Sequence, residues 1–359
     1  MRPGAKNALW TGALAGLALL SKFSAVLLLP VMVLTALFGG KGKQVNARDA
    51  TLAVLTMFLT IWAGYFFEMK PLLKNTPAPE KKEAVYRSIG GEKLVEFAQS
   101  VPVPLSTFSS GLVSMAFTRA AGTNAYLMGE WSRDGWWYYY FIAFGIKNTL
   151  PFLILFLISL ALLPRLGLSR LQTAFLLVPI AFFFTVTLRD KAQAGIRYFL
   201  PIYPFCFILA AGAVTYMRKQ TRTLRVLAMS FLAWHALESA RIYPHYLAYF
   251  NQLAGGPENG YRFLRDSNID WGQDLKGVAE YARVQGYGKV ALLTLSPSDP
   301  QDYGLASRPL TDAELREPQA SVYAIGAHFL DAVHWTRERR PDKVIGHSFF
   351  IYDFTHPKN

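Results

Sequence analysis

The stretch that decides the fold is residues 8–38, which read ALWTGALAGLALLSKFSAVLLLPVMVLTALF. Its only charged residue is Lys22. A helix needs roughly 20 apolar residues to cross a bilayer, so this run is too long for one ordinary span. We predict two short membrane helices that meet at Lys22, and a single tilted helix is the alternative. A cleaved signal peptide is disfavoured, because the apolar run is too long and lacks a clear small-residue cleavage site.

Further apolar runs follow at 50–67, 136–163, 171–188, 198–217 and 224–240, which brings the predicted number of spans to seven. The composition agrees with a membrane protein. The chain has 359 residues, of which 52% are hydrophobic and 17% are charged, whereas soluble domains carry about 25% charged residues. The single cysteine, Cys206, lies within an apolar run, so neither a disulfide nor a cysteine metal site is expected.

The positions of the basic residues indicate an orientation. Basic residues cluster in four connecting segments: Arg2 with Lys6, then Lys41, Lys43 and Arg48, then Arg165 with Arg170, and finally 218–225. With Met1 in the cytoplasm and seven crossings, all four segments are cytoplasmic, as the positive-inside rule requires. The loop 68–135 and the tail 241–359 then lie outside. Because the net charge of +13 is divided among these loops, nucleic-acid binding is disfavoured.

The tail has a different periodicity from the first 240 residues. QDLKGVAEYARVQG (273–286) predicts a helix that ends at Gly286, and AHFLDAVHWTRERR (327–340) predicts another. Residues 289–296, 320–326 and 347–354 predict buried strands. We therefore predict a multi-spanning α-helical membrane protein of about seven spans (1–240) with a small C-terminal extracytoplasmic α/β module (241–359). The two histidines of the second helix, His328 and His334, are expected to be surface or packing residues.

Several cations lie at the predicted outer ends of spans, where the charge rule does not explain them. Ionisable residues at membrane depth are costly and are therefore candidates for function. Arginine also grips phosphate oxygens in a bidentate manner. We predict a binding site for the phosphate of an anionic lipid, whereas snorkelling to the interface is the alternative reading of each residue. The predicted donor-phosphate residues are Lys22, Lys147, Arg189 and Arg197.

The outer loop holds two further features. Residues 80–101 have helical spacing interrupted by Gly90 and Gly91, and they predict a pair of amphipathic helices on the bilayer surface. Residues 126–141, YLMGEWSRDGWWYYYF, are rich in aromatic side chains that sit at membrane interfaces. Aromatic faces also stack on sugar rings while carboxylates accept sugar hydroxyls. The predicted sugar or acceptor contacts are Glu130, Trp131, Asp134 and Tyr198, and an aromatic belt alone is the alternative.

The polar stretch RDSNIDWGQDLKG (265–277) places Asp266, Asn268, Asp270 and Asp274 at positions 1, 3, 5 and 9 of a calcium-type loop. The glycine is displaced by one position, and position 12 is glycine instead of glutamate. We therefore favour a capped turn, with Asp270 or Gln273 capping a helix that begins near 274. Trp271 would pack on the GGPENGY turn, and the cluster would act as a hinge. A divalent cation is the alternative, and no other cofactor is expected.

Four stretches together resemble one family. They are GLALLSKFSAVLLLP (16–30), YLMGEWSRDGWWYYYFIAFGIKNTLP (126–151), AGIRYFLPIYPF (194–205) and YLAYFNQLAGGPENGYRFLRDSNIDWGQDL (246–275). The chain resembles bacterial polyprenyl-phosphate-dependent glycosyltransferases, the membrane group that includes protein O-mannosyltransferases and the aminoarabinose transferase of lipid A. The resemblance covers most of residues 8–285. It implies the C-type glycosyltransferase fold in the bacterial cytoplasmic membrane, and sugar transfer from a polyprenyl phosphate to an acceptor outside it, with inversion at the sugar carbon.

The resemblance carries Lys22 and Arg197 over as phosphate-side residues. It also implies an acidic catalytic base in an outer loop ahead of the GLALLSKF helix, and no residue here matches that base, so the catalytic residue is unknown. We expect activity to need the missing N-terminal spans, supplied by a longer reading frame or a partner chain. The expected partners are a polyprenyl-phosphate sugar, membrane lipids and an unidentified acceptor. A non-catalytic binding or scaffold subunit is the alternative; a transporter is disfavoured, because no internal repeat is visible.

Overall fold

The computed structural model describes residues 4–38, 46–73 and 79–355. The chain divides into two compact units, one of Met1–Ala121 with Leu168–Phe182 and one of Gly122–Gly167 with Phe183–Asn359. The domain boundary expected at 240/241 therefore lies inside the second unit. Three residues predicted to be cytoplasmic, Arg2, Lys41 and Lys43, lie outside the described residues.

The first unit is mainly helical. Its helices are α1 (Ala5–Ser21), α2 (Leu28–Phe38), α3 (Ala47–Gly64), α4 (Pro79–Ser100) and α5 (Ser106–Ala121), and its short antiparallel strands are β1 (Met69–Lys70) and β2 (Val103–Pro104). A 3₁₀ segment, Phe23–Leu27, separates α1 from α2, so the apolar run does break next to Lys22. The predicted helix pair in the outer loop corresponds to α4, whose interruption falls at Gly91 with φ +66°.

Two glycines one turn apart allow α1 to pack closely on α3. A Cβ atom at Gly12 would lie 2.2 Å from the carbonyl oxygen of Ala53, and one at Gly16 would lie 2.7 Å from the Cβ of Thr60. Small residues at this spacing let two helix backbones approach, as they do in membrane helix pairs. The α1–α3 contact therefore depends on the absence of side chains at these two positions.

Ahead of its C-terminal module, the described part of the second unit contains a hairpin and five helices that include the end of α8. The hairpin strands are β3 (Ala125–Leu127) and β4 (Glu130–Ser132), and the helices are α6 (Tyr139–Ile146), α7 (Leu150–Ala161), α8 (Arg170–Thr187, which has residues in both units), α9 (Tyr203–Arg218) and α10 (Arg222–Arg241). A helix break lies beside Lys147, between α6 and α7. Pro151 stands in the first turn of α7, where the missing N–H costs no hydrogen bond.

The α/β module at the end of the chain is confirmed in its main elements. Its helices are α11 (Leu275–Val284) and α12 (Asp312–Arg316), and its strands are β5 (Val290–Leu293), β6 (Ser307–Pro309), β7 (Val322–Gly326), β8 (Lys343–Ile345) and β9 (Phe349–Asp353). The sheet order is β6-β5-β7-β9-β8, with β5 parallel to β6 and β7, and β9 antiparallel to β7 and β8. Gly286 follows α11 with φ +67°, as the predicted stop requires.

A buried carboxylate anchors the β6 side of this module. Glu314 in α12 accepts hydrogen bonds from the guanidinium of Arg308 in β6 and from the N–H of Thr311, which forms a capping box with it. The hydrogen bond from Arg308 is the largest of several contacts that lower the pKa of Glu314 to about 2. The edge strand and the short helix, neither of which the sequence pattern predicted, are thus joined by one charged pair.

The prediction of about seven spans is wrong. Among the described residues, two segments are long and apolar enough to cross a membrane, Arg170–Thr187 and Ile196–Arg218, and the pair α6–α7, bent by 116°, adds a third if it counts as one span. The break at Lys22 leaves α1 and the segment Phe23–Phe38 short. Helices α3 and α10 carry charged or hydroxyl side chains that reduce their apolar character. Apolar runs in the sequence therefore overcounted the spans.

The helix predicted over 327–340 is also wrong. That segment forms two short 3₁₀ turns, Ala327–Phe329 and His334–Arg337. Its apolar spacing is explained by packing, since Leu330, Val333 and Trp335 are buried although no α-helix forms. Local periodicity thus identified the buried side chains and assigned them the wrong backbone.

Candidate functional site

The candidate site lies in the second unit and is built on the loop between Arg265 and Asp274. This loop holds the segment before α9 in place. The Oδ1 atom of Asn268 accepts the N–H of Ile196 at 3.1 Å, and the hydroxyl of Ser267 donates to the carbonyl of Ala194 at 2.5 Å. Gly195 between them has φ +90°, and a Cβ there would lie 2.8 Å from Asn268 Oδ1. The loop therefore fixes the backbone on which Arg197 stands.

The half-buried Arg197 is held by aromatic rings and not by an acidic partner. Its guanidinium carbon lies 4.9 Å from the ring centre of Trp271 and 5.5 Å from that of Tyr198. Within residues 4–38, 46–73 and 79–355, its N–H groups have no hydrogen-bond acceptor and no ion-pair partner. A guanidinium stacked on aromatic rings keeps its planar fork of donors directed outward. The arrangement suits a bidentate contact with an anion such as phosphate.

Asp266 supplies a carboxylate on the same loop. It has φ +56°, an uncommon backbone conformation outside glycine that aspartate adopts more readily than most residues. The hydroxyl of Ser267 lies 3.4 Å from Asp266 Oδ2, a weak contact, and no cationic side chain in the described part of the chain pairs with it. Asp266 and Arg197 both act electrostatically on the hydroxyl of Tyr139, which receives a hydrogen bond from Asn268. A carboxylate and a guanidinium that are not paired with each other therefore flank one hydroxyl.

A second aromatic position is built on Arg265, the residue before Asp266. The buried Arg265 forms a fork to both oxygens of Asp331, at 2.7 and 3.2 Å, and its guanidinium carbon lies 4.0 Å above the ring of Tyr126. The indole N–H of Trp131 donates to Asp331 at 3.1 Å. Tyr126 and Trp131 are directly opposite in the β3–β4 pair, and His328 contacts the indole with ring centres 5.0 Å apart. This network fixes Trp131, of which 39% is exposed.

The environment of His328 favours the neutral form of its imidazole. Burial lowers the pKa of His328, and the nearby Asp266 carboxylate acts in the opposite direction. The Nδ1 atom is buried and has no hydrogen-bond partner in the described structure. The structure agrees with the expected packing role of His328 and adds a polar atom that remains unsatisfied.

The predicted sugar contacts separate into three places. Trp131 lies against His328 and bonds Asp331. Glu130 points to the other face of the hairpin, because successive side chains of a strand alternate. Asp134 is exposed and bonds Lys191 at 2.6 Å, an interaction that lowers the pKa of Asp134. Tyr198 lies beside the guanidinium of Arg197, the residue before it, at 5.5 Å from its ring centre. The carboxylate that contacts the indole is thus Asp331, which the sequence analysis did not identify.

The predicted phosphate-binding cations are also placed differently from one another. Lys147 lies between α6 and α7, donates to the carbonyls of Leu247 and Asn268 at 2.6 and 2.7 Å, and sits 4.1 Å from the ring centre of Phe250. Two of the three ammonium protons of Lys147 are therefore used in hydrogen bonds within the fold. Arg189 is exposed in the turn after α8, and Lys22 ends α1 in the first unit. Of the four, Arg197 alone combines partial burial with donors that lack an acceptor within the described ranges.

The two remaining aspartates neither cap α11 nor share a ligand. Asp270 Oδ1 accepts the N–H of Gly272 at 2.7 Å. Asp274 stands at the N-cap position without a side-chain cap bond, and bonds His245 at 2.8 Å and Ser348 at 2.6 Å. Across the described residues, no group of three His, Cys, Asp or Glu side chains is arranged to hold a metal ion. The predicted side-chain cap is wrong, because these carboxylates are used by the turn itself and by the module.

Trp271 was expected on the GGPENGY turn, and its ring is instead half-exposed over Arg197. The sequence analysis also missed the roles of Arg265, Asp331 and Tyr139. Each acts through a partner more than 60 residues away in the chain. No local pattern marks such residues, and the charged residues adjacent to aromatics at 261–266 are the only sequence signal that could have drawn attention to them.

No protein-family model, no curated protein and no solved structure matches this chain.

Proposed function

We propose that this chain is a membrane enzyme that transfers a sugar from a polyprenyl phosphate to an acceptor hydroxyl at the outer face of the bacterial cytoplasmic membrane. The observation that carries the proposal is the guanidinium of Arg197, whose carbon lies 4.9 Å from the ring centre of Trp271 and 5.5 Å from that of Tyr198, and which lacks an acceptor among the described residues. The resemblance of the four sequence stretches suggests the reaction class and Arg197, and the surroundings of Arg197 support its role.

Arg197 binds the phosphate of the carrier. It stands at the start of Ile196–Arg218, one of the two segments long and apolar enough to cross a membrane. A polyprenyl chain is apolar while its phosphate is charged, so a cation at the end of such a segment can meet the phosphate while the chain stays in lipid. As the sugar departs, negative charge grows on the phosphate oxygen, and a fixed guanidinium stabilises that charge.

Asp266 accepts the proton of the attacking hydroxyl. The acceptor oxygen forms a bond to the anomeric carbon, the bond between that carbon and the phosphate oxygen breaks, and its electron pair stays on the phosphate. The acceptor proton passes to the Asp266 carboxylate, which no cation pairs with in the described structure. General-base catalysis of this kind contributes about 10²–10⁴-fold to a rate. Attack opposite the phosphate inverts the sugar carbon, in keeping with the resemblance.

The first test measures binding of undecaprenyl phosphate to the purified full chain in detergent. Arg197→Ala should weaken binding by about 1.5–3 kcal/mol, the range for a hydrogen bond to a charged group, which is roughly 10- to 150-fold in Kd. Arg283→Ala is the matched control, since it removes the same charge from an exposed position in the same unit. Equal affinity of Arg197→Ala and the parent for undecaprenyl phosphate would refute the phosphate assignment.

The second test separates an enzyme from a binding or scaffold subunit. Asparagine tolerates the left-handed backbone that Asp266 adopts, so Asp266→Asn should fold and still bind the carrier. Release of undecaprenyl phosphate from its mannosyl, glucosyl and aminoarabinosyl forms, with isolated membranes as acceptor, should fall at least 100-fold. Asp134→Asn, which changes an exposed carboxylate in the same unit, should leave the rate unchanged. Release that is insensitive to Asp266→Asn would remove Asp266 from the mechanism, and carrier binding without release in the parent would favour the binding subunit.

A further inference from the structure

At one end of the second unit, three helices bring exposed cations together. The side chain of Leu166, just after α7, lies against Gly212 in α9, where an added Cβ would be 3.3 Å from it. Helices α7 and α9 therefore finish at the same end. Helix α10 begins there after a short turn and runs back, because its His235 bonds Thr149 at the start of α7 at 2.7 Å. The exposed cations at this end are Arg165, Arg218, Lys219, Arg222 and Arg225.

These cations have no acidic neighbour in their part of the chain. Between Asp134 and Glu238 the sequence contains one carboxylate, Asp190. Asp190 precedes the segment Ile196–Arg218, so it lies towards the opposite end of that segment. None of the five cations forms an ion pair in the described structure. Like charges that share a surface repel one another, and an anionic partner offsets this repulsion.

The cations stand where lipid headgroups would be. Ile196–Arg218 is long and apolar enough to cross a membrane, and it ends at the first cation of the turn into α10. In the next turns of α10, Val226, Leu227 and Met229 are 57%, 41% and 50% exposed. A charged turn followed by an exposed apolar helix face is the arrangement that an amphipathic ligand requires.

A groove on α10 joins the charged and the apolar parts. It has a volume of about 450 Å³ and is lined by Arg222, Thr223, Val226, Leu227 and Ser230. Positions four and eight residues apart lie on one side of a helix, so these side chains form a continuous strip. The strip begins with a guanidinium and a hydroxyl and continues with two aliphatic side chains. A free phosphate or an acidic peptide would use the charged part and leave the aliphatic part uncovered.

We propose that this end of the second unit binds an anionic phospholipid, with the phosphate on Arg222 and an acyl chain along Val226 and Leu227. Arginine binds phosphate oxygens through two parallel hydrogen bonds, and the hydroxyl of Thr223 is a further donor. The other cations of the turn add to the attraction for an anionic membrane surface. The site is separate from the proposed donor site, because Arg197 stands at the start of Ile196–Arg218 and this groove follows its end. The inference therefore does not depend on the proposed function.

The test measures thermal unfolding of the purified full chain in detergent with dihexanoyl phosphatidylglycerol. Dihexanoyl phosphatidylcholine and inorganic phosphate at equal concentration are the comparison probes. The phosphatidylglycerol should raise the unfolding temperature of the parent, because a ligand that binds only the folded state stabilises it. The other two probes should not. The double variant Lys219→Gln with Arg222→Gln should weaken the apparent affinity roughly tenfold or more. Arg316→Gln, an exposed arginine in α12 of the same unit, is the matched control.

A second variant, Val226→Asp, keeps the cations and places a carboxylate in the groove, so it should also weaken the response to phosphatidylglycerol. It decides the question if circular dichroism shows that the double variant misfolds. Equal stabilisation by phosphatidylglycerol and phosphatidylcholine overturns the proposal, as does an affinity that survives both variants. A rise with inorganic phosphate that matches the rise with phosphatidylglycerol also overturns it, since the occupant is then a free anion. The double variant should still bind undecaprenyl phosphate through Arg197, so failure here leaves the donor site intact.

Discussion

Replacing Asp270 by asparagine should stabilise the protein at neutral pH. Asp270 is 4% exposed, and burial raises its pKa to about 6 from an ordinary value of 3.8, with the charge of Asp274 adding to the effect and the N–H of Gly272 opposing it. The folded protein therefore holds this proton more tightly than the unfolded chain. A carboxyl of this kind contributes stability below about pH 4, and that stability is lost as the pH rises through about 6.

The difference of about two pKa units corresponds to about 3 kcal/mol, since each unit is 1.36 kcal/mol. Asparagine resembles the protonated acid, and its carbonyl can still accept the N–H of Gly272. Asp270→Asn should equal the parent at pH 4 and exceed it by up to about 3 kcal/mol at pH 7.5. Thermal unfolding of the full chain in detergent, followed by circular dichroism from pH 4 to 7.5, measures the difference.

Asp274→Asn is the control, because Asp274 is equally buried and accepts hydrogen bonds from Ser348 and Gln273 in addition to its contact with His245. Asp274→Asn should lower the free energy of unfolding by about 1.5–3 kcal/mol at pH 7.5, the range for hydrogen bonds to a charged group. Two buried carboxylates four residues apart should thus respond with opposite signs. A parent and Asp270→Asn variant that lose stability in parallel between pH 4 and 7.5 would refute the reasoning.

Three further predictions concern the rest of the chain. Gly12→Val should lower the unfolding temperature sharply because the new side chain meets the backbone of α3, whereas Gly145→Ala, where a Cβ meets nothing within 4 Å, should be neutral in the same measurement. Glu314→Gln should lower the free energy of unfolding by about 1.5–3 kcal/mol at pH 7. Because the pKa of Glu314 is lowered to about 2, this difference from the parent should shrink as the pH falls from about 4.5 to 2. A difference that stays constant in denaturant titrations over that range would contradict the prediction. Ser88→Cys and Asp302→Cys, each introduced after Cys206 is replaced, should react with an impermeant thiol reagent in intact cells, because 68–135 and 241–359 are predicted to lie outside. Labelling only after lysis would show that the predicted orientation is inverted.

Several elements were predictable because their causes are local. The helix break at Lys22 follows from a serine and a lysine inside an apolar run. The break beside Lys147 follows from Pro151, five residues after the end of α6. The helix 275–284 and the strands at 290–293, 322–326 and 349–353 follow from hydrophobic periodicity and a terminal glycine. Each of these signals acts over a few residues, so it is present in the unfolded chain as well as in the folded one.

The spans and the candidate site were decided only by the tertiary structure. An apolar run in the sequence does not show how much of it forms one continuous helix. The two segments long enough to span a membrane, Arg170–Thr187 and Ile196–Arg218, are identified only from the folded backbone. The indole of Trp131 meets Asp331 across 200 residues, and the loop at 265–268 meets the segment before α9 across about 70. The sequence by itself determined that aromatic rings, cations and carboxylates are present near one another in the chain. Which carboxylate faces which ring depends on contacts between segments that are distant in the chain. Those contacts stabilise the fold only after the entropy of closing the long intervening loops has been lost.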